Sequence, residues 1–300
     1  SVIAQGGGTI QEFEMYGLDY DNDRHFFLSQ FFRDKYDASL KNYPFIDSRV
    51  QITRLEVWIT NRQNRVNTTS NNLRNIIALQ DLGEAQITGL PDNKVVVLNP
   101  STGMFVKPID SPSDNTNNLY DPALIKTNTG YLNDNIREIV TASSGFSPSI
   151  DVSEGQDYSK LENARKLLSN EYTFNPQLGY ISLQQKLGND EILAVAYQYS
   201  IGDKVYQVGE FGNDGVEATV VGGNQPSNQT IISQTLILKM LKSSLTNVTN
   251  PVWNLMMKNI YQIQGAYQLQ QEDFRLNILY KNPSALNYIT PVDGFPFPAN

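Results

Sequence analysis

Asp19, Asp21 and Asp23 alternate along LDYDNDR, the spacing at which a calcium loop presents its first carboxylates. Such a loop needs glycine at its sixth position for the sharp turn and a bidentate glutamate at its twelfth. Here those positions hold Arg24 and Gln30, so the acids are read instead as the start of a helix, with Asn22 or Asp23 as its cap at the positive end of the helix dipole. His25, the single histidine, falls in the first turn of that helix with no second His, Cys or serine elbow beside it, so a surface or capping role is expected rather than catalysis. Zero cysteines exclude disulfides, thiolate metal sites and a thiol nucleophile. There is no Walker loop, dinucleotide fingerprint, nucleophile elbow or zinc motif. Carboxylates are present, but none sits in a signature that nominates an acid/base pair. The residues therefore nominate no catalytic group, no cofactor site and no metal site, and the chain is expected not to be an enzyme. Binding chemistry has more to work with. Trp58 fits an exposed interaction platform as well as it fits a strand-face aromatic, while Trp253 fits the core of a helix better than a surface. Three short N-x-T sequons occur, at Asn67, Asn228 and Asn247, in a chain rich in both residues.

The composition narrows the partners. The 300 residues suffice for one large domain or two ordinary ones, 40% are hydrophobic, and the polar balance is carried by Asn, Gln, Ser and Thr more than by charge. A net charge of -8 and the lack of any Lys/Arg-rich run argue against nucleic acid as a partner. No apolar run reaches the ~18 residues of a spanning helix. The chain begins at Ser1 with neither an initiator Met nor a signal peptide, and is read as a processed chain or an excerpt of a longer one.

Around these residues the hydrophobic pattern places the elements. Val50 to Glu84 holds two strand-like runs joined by a polar loop. In the first, Leu55, Val57 and Ile59 alternate with Arg54, Glu56 and Trp58; Val50 and Ile52 lie on the opposite parity, which calls for a bulge near Thr53 or cover on both faces. In the second, Ile76 to Leu79 are all apolar, so that strand is expected to be buried on both faces. A helix over 24–40, carrying Phe27, Leu28, Phe31, Phe32, Tyr36 and Leu40, is expected to pack on strands 50–60 and 74–80 in a lobe of residues 1–145. Val95 to Leu98 reads as a strand, 99–131 as irregular, and 133–142 as a short helix. Residues 146–157, rich in Ser, Gly and Pro, read as a linker. A second lobe, 158–300, opens with a helix signed by a Ser159/Glu162 capping box and a Leu161, Ala164, Leu167, Leu168 face. It continues with a four-strand meander over 171–211, a strand at 234–241, a helix over 251–263 started by Asn250 and Pro251, and a strand at 274–281. The fold class expected is α+β, mostly antiparallel sheets with a few amphipathic helices.

Several long phrases add a resemblance: FFLSQFFRDKYDASLKNYPFI (26–46), RLEVWITNR (54–62), RNIIALQDLGE (74–84), YTFNPQLGYISLQQKLGNDEILAVAYQYS (172–200) and VWNLMMKNIYQI (252–263). Together they resemble the SprA/Sov family, the giant outer-membrane translocons of the type IX secretion system that are required for gliding motility. The resemblance implies a portion of a very large outer-membrane β-barrel protein, a passive conduit for folded cargo. It also implies secreted cargo, a companion outer-membrane barrel and a periplasmic plug protein as partners, with lipid contact through the parent barrel. Only 191–200 approaches the alternation of a membrane strand, so an extramembrane location at one mouth of the pore is expected. The competing expectation is a cell-surface adhesin or glycan-binding module, motivated by Trp58, the polar composition and 16 tyrosines.

Overall fold

A computed structural model describes residues 15–62, 73–84, 125, 132–148, 152–212, 219–222 and 230–263, with the side chains of 219–222 and 230–233 excepted. The chain divides into two units, 1–260 and 261–300; the elements below belong to the first. They run β1 (His25–Phe27), α1 (Gln30–Leu40), β2 (Val50–Ile59), β3 (Leu73–Leu79), β4 (Tyr158–Lys166), β5 (Tyr172–Asn175), β6 (Tyr180–Leu183), β7 (Leu193–Ile201), β8 (Lys204–Val208), β9 (Thr219–Gly222), β10 (Thr230–Ser233) and β11 (Leu236–Lys242). Short 3-10 helices cover Asp134–Arg137, Ala142–Ser144 and Pro251–Leu255. The fold is mostly β, which corrects the α+β expectation while keeping its antiparallel character.

The large sheet runs β11-β3-β4-β2-β7-β8, and a further pairing of β11 with β7 closes its first five strands into a small barrel. One edge of β7 is shared: Leu193 to Val195 pair with β11, and Tyr197 to Ile201 with β8. Every pairing is antiparallel except β3 with β11. Residues directly opposite one another share a face, so the register sorts the side chains. One face carries Glu56, Trp58, Arg74, Ile76, Ala78, Ser159, Leu161, Ala164, Ala194, Ala196, Leu236, Leu238 and Met240, all buried. The other carries Leu55, Val57, Ile59, Leu193, Val195, Tyr197, Ile77, Leu79 and Lys239, together with the partly exposed Lys160 and Arg165. The first face is therefore the barrel interior. Its alanines make room for the Trp58 ring, and five strands enclose less space than the about eight whose interior side chains just fill. The barrel is a packed core with no bore.

The double burial of β3 expected from its sequence is present, with Ile76 to Leu79 all fully buried: one side faces the interior and the other an outer layer. The bulge expected near Thr53 is present too, as a register shift between Ile52 and Arg54 against β7. β2 and β3 are not neighbours, however, because β4 runs between them. The helix expected at the start of the second lobe is β4 itself. Its Leu161/Ala164 spacing arises from a bulge: Ile76 faces Leu161 and Arg74 faces Ala164, so three steps on β4 oppose two on β3. Asn163 sits in that bulge at φ 48°, and its N–H donates to Asn75 Oδ1 at 2.9 Å. Asn163→Val should cost about 1–2 kcal/mol in a urea titration, the penalty for a β-branched residue in the left-handed region. Asn163→Gly should stay within a few tenths of wild type; equal losses for the two would remove the bulge from the account.

The 171–211 meander is divided. β5 and β6 join β1 in a three-stranded sheet, β1-β6-β5, while β7 and β8 belong to the barrel. The helix expected over 24–40 is shorter than its pattern, because Asp23 has φ 57° and His25 to Phe27 pair with β6. Phe26, Phe27 and Leu28 are buried ahead of the helix, which extends the aromatic stripe without extending the coil. Helix α1 packs through Phe32 and Tyr36 on this sheet: the Phe27 and Tyr36 rings meet edge-on at 5.3 Å, and a Cβ on Gly179 in the β5–β6 turn would collide with the Phe32 ring. The helices expected over 133–142 and 251–263 are the short 3-10 turns. Two lobes joined by a linker at 146–157 are not found, since strands from both sides of that segment close one barrel. The strands expected at 95–98 and 274–281, and the sequons at Asn67 and Asn228, lie outside the described residues.

Candidate functional site

A cleft of about 650 Å³ opens where the ends of β2 and β4 meet the β6–β7 connection. Ile59, Leu167, Leu183 and Leu187 contribute its apolar surface, and Asn61, Asn170, Gln184 and Gln185 its amides. The bulge in β4 sets which side chains leave the strand on this side, placing Arg165 over the cleft. Its charges are paired. Arg165 donates Nη1 to both oxygens of Glu171 at 2.8 Å, Arg62 pairs with Asp190 and lies 3.7 Å from Glu191, and Lys186 bonds Asn22. Glu191 accepts from the Gly188 N–H at 2.6 Å. Beneath this turn Lys242 Nζ donates to the carbonyls of Gly188, Asn189, Glu191 and Ser243. Burial lowers the Lys242 pKa, and Asp23 and Glu191 oppose the shift. The cleft offers amides and mostly ion-paired charges, which suit hydrogen bonding to a polar chain.

Two buried charge networks brace the scaffold. Inside the barrel Lys166 Nζ meets Glu56 Oε1 at 2.5 Å, Gly212 N–H donates to Glu56 Oε2, and Arg74 Nη1 donates to the Gly212 carbonyl. Arg137 forks onto Glu210 at 2.7 and 2.8 Å, and the guanidinium of Arg54 lies 3.8 Å from the centre of the Phe211 ring. Residues 210–212 thus stopper one end of the barrel. On the outer face Lys239 Nζ donates to Glu84 Oε1 and the Gln80 carbonyl, both at 2.6 Å, with Lys239 at 0% exposure. The Glu84 carboxylate also accepts the Gln30 N–H at 3.1 Å, capping α1 where Ser29 makes no side-chain cap. Burial pushes the Glu84 carboxyl up; Lys239 and the Gln30 N–H pull it down.

The structure corrects the site expected from sequence. Trp58 is not an exposed platform: it is fully buried, inside the barrel, because Glu56, Trp58 and their opposite residues Ala196 and Ala194 face inward. Trp253 is half-buried, beneath the Lys258 ammonium at 5.0 Å. Lys258 also donates to the Trp253 and Met256 carbonyls, and burial, with Arg33 nearby, lowers its pKa to about 8. The cost of that buried charge is full below pH 8 and gone above 10.5, since the unfolded amine titrates at the ordinary value. The urea midpoint of wild type should therefore rise relative to Lys258→Met across that window; parallel midpoints would refute the shift. His25 is buried, not on the surface, bonding Ser182 Oγ at 2.8 Å and Asp21 Oδ2 at 3.1 Å. Asp21 also pairs with Arg24, and Asp19 accepts the Tyr16 N–H, so two of the three alternating acids are engaged within the protein. Among the described residues no group of acids and His is placed to hold a metal. Neither network was foreseen. Its one readable sign is Lys239, a lone charge within LILKML, which a buried strand tolerates only with a partner.

The family model SprA_N, described as motility related/secretion protein, matches residues 1–207. The chain belongs to this family of motility and secretion proteins. No curated protein matches it. Among the described residues no helix is long and apolar enough to cross a membrane, which leaves crossing by strands open.

Proposed function

We propose that this chain is an extramembrane part of the outer-membrane protein-conducting channel of the type IX secretion system, acting without catalysis in protein export and gliding motility. The observation that carries this reading is the family match over residues 1–207. The structure adds a constraint. The five-stranded barrel is filled by Trp58 and its neighbours, which supports reading the chain as a module attached to the channel rather than as the pore itself. Cargo, the companion barrel and the plug protein are the partners such a module would meet. The glycan-binding alternative loses one of its three motives with Trp58 inside the barrel.

In-frame deletion of the segment from its parent gene should abolish cargo secretion and colony spreading while the parent protein remains detectable by immunoblot. Undiminished secretion would overturn the assignment. Hydrogen exchange in nanodiscs tests the location: lipid-dependent protection of β5 and β8 would place the segment within the membrane.

A further inference from the structure

A second, smaller groove of about 270 Å³ lies between α1, residues 47–50 and the β5–β6 turn. Its floor is apolar: Phe32 and Leu178 are buried and Tyr36 is half-buried. Lys35 and Arg49 stand on its rim, and neither forms an ion pair within the described residues; Asp47 is the one carboxylate in the lining, with Asp34 and Asp37 on the helix to either side of Lys35. Immediately before this rim, two large aromatic side chains point into solvent, Tyr43 at 72% and Phe45 at 68% exposure. They are held there by a tight local frame, in which the Tyr43 N–H donates to the Leu40 carbonyl, the Phe45 N–H to Asn42 and the Asp47 N–H to Ser39.

We propose that this groove docks an extended segment of a partner protein that inserts one apolar side chain and carries a carboxylate beside it. Exposed aromatics on a rigid turn are costly in water and are the residue type that anchors protein interfaces. The volume suits one large side chain with its adjoining backbone. The two unpaired cations against one anion in the lining favour an acidic neighbour, and such charge complementarity selects the partner more than it adds affinity. A lipid surface is the other occupant that aromatics and cations would suit. The groove disfavours it, since a bilayer would meet Tyr43 and Phe45 and leave the recess empty. The inference does not depend on the secretion reading, because its test reads binding and not export.

The probes are two acetylated, amidated peptides, Gly-Glu-Phe-Glu-Gly and Gly-Lys-Phe-Lys-Gly, titrated into the ¹⁵N-labelled 300-residue chain. The acidic peptide should shift the amides of residues 32–39, 47–50 and 177–178 and bind at least tenfold more tightly than the basic one. The Lys35→Glu, Arg49→Glu double variant should reverse that preference with an unchanged far-ultraviolet circular dichroism spectrum. The proposal is overturned if neither peptide moves these amides, or if both bind wild type equally. Phosphatidylglycerol vesicles binding through Tyr43 and Phe45 while the peptides do not would overturn it in favour of a membrane contact. The wild-type arms decide the matter even if the double variant fails to fold.

Discussion

Trp58→Ala is expected to lower the unfolding free energy by roughly 3–5 kcal/mol, the range for removing a large buried aromatic whose surroundings cannot collapse. Collapse is limited here because the wall opposite is already small. On the β7 side Ala194 and Ala196 face Trp58 and Glu56, and Ala164 lies on the same interior face, so these neighbours cannot swing in to fill the space. On the other side Gly212 comes so close that a Cβ there would stand 3.1 Å from Trp58 Cζ2. Trp58→Phe should recover part of the loss. A loss below about 1 kcal/mol for the alanine variant, within the range of surface changes, would return Trp58 to the exterior.

The second large effect concerns the Lys239–Glu84 pair. Glu84→Ala is expected to cost about 3–5 kcal/mol, since it strands a fully buried ammonium and uncaps α1 at the same time. Lys239→Met should cost less, because the remaining carboxyl keeps the Gln30 N–H and its pKa, already raised by burial, can rise further until it is neutral. Combining Lys239→Met with Glu84→Gln should cost less than the sum of the two single changes, as the uncompensated charge is gone. Guanidinium titrations of wild type, Lys239→Met, Glu84→Gln and the double variant give the coupling directly, and additive costs would mean that the 2.6 Å contact contributes nothing of its own.

Strands whose pattern is local were legible in the sequence. β3 and β11 show as apolar runs, β2 and β7 as alternation, and the β7–β8 turn as Gly202-Asp203, with Gly202 at φ 60°. β4 was not, because a bulge converts a two-residue period into a three-residue step, and three is also the helical spacing. Helix α1 was overextended for a related reason: Phe26 to Leu28 are buried by a sheet, yet they continue the rhythm of the coil. Barrel closure left no local trace, since it depends on β11 meeting β3 and β7, and no window of sequence holds both β3 and β11. The candidate site shows the same division. Trp58 was visible as a residue that matters, but the direction it faces is decided by β4 and β7, and the partners of Lys239 lie 155 and 159 residues before it.

The shared edge of β7 bears on how the chain is made. Until Lys242 has left the ribosome, β3 lacks its parallel neighbour and the Leu193–Val195 edge of β7 stays bare, so a nascent chain presents open, apolar strand edges up to that point. A fragment ending anywhere before β11 should therefore be an aggregation hazard, and a chain that reaches its destination unfolded should need a holdase to shield those edges on the way.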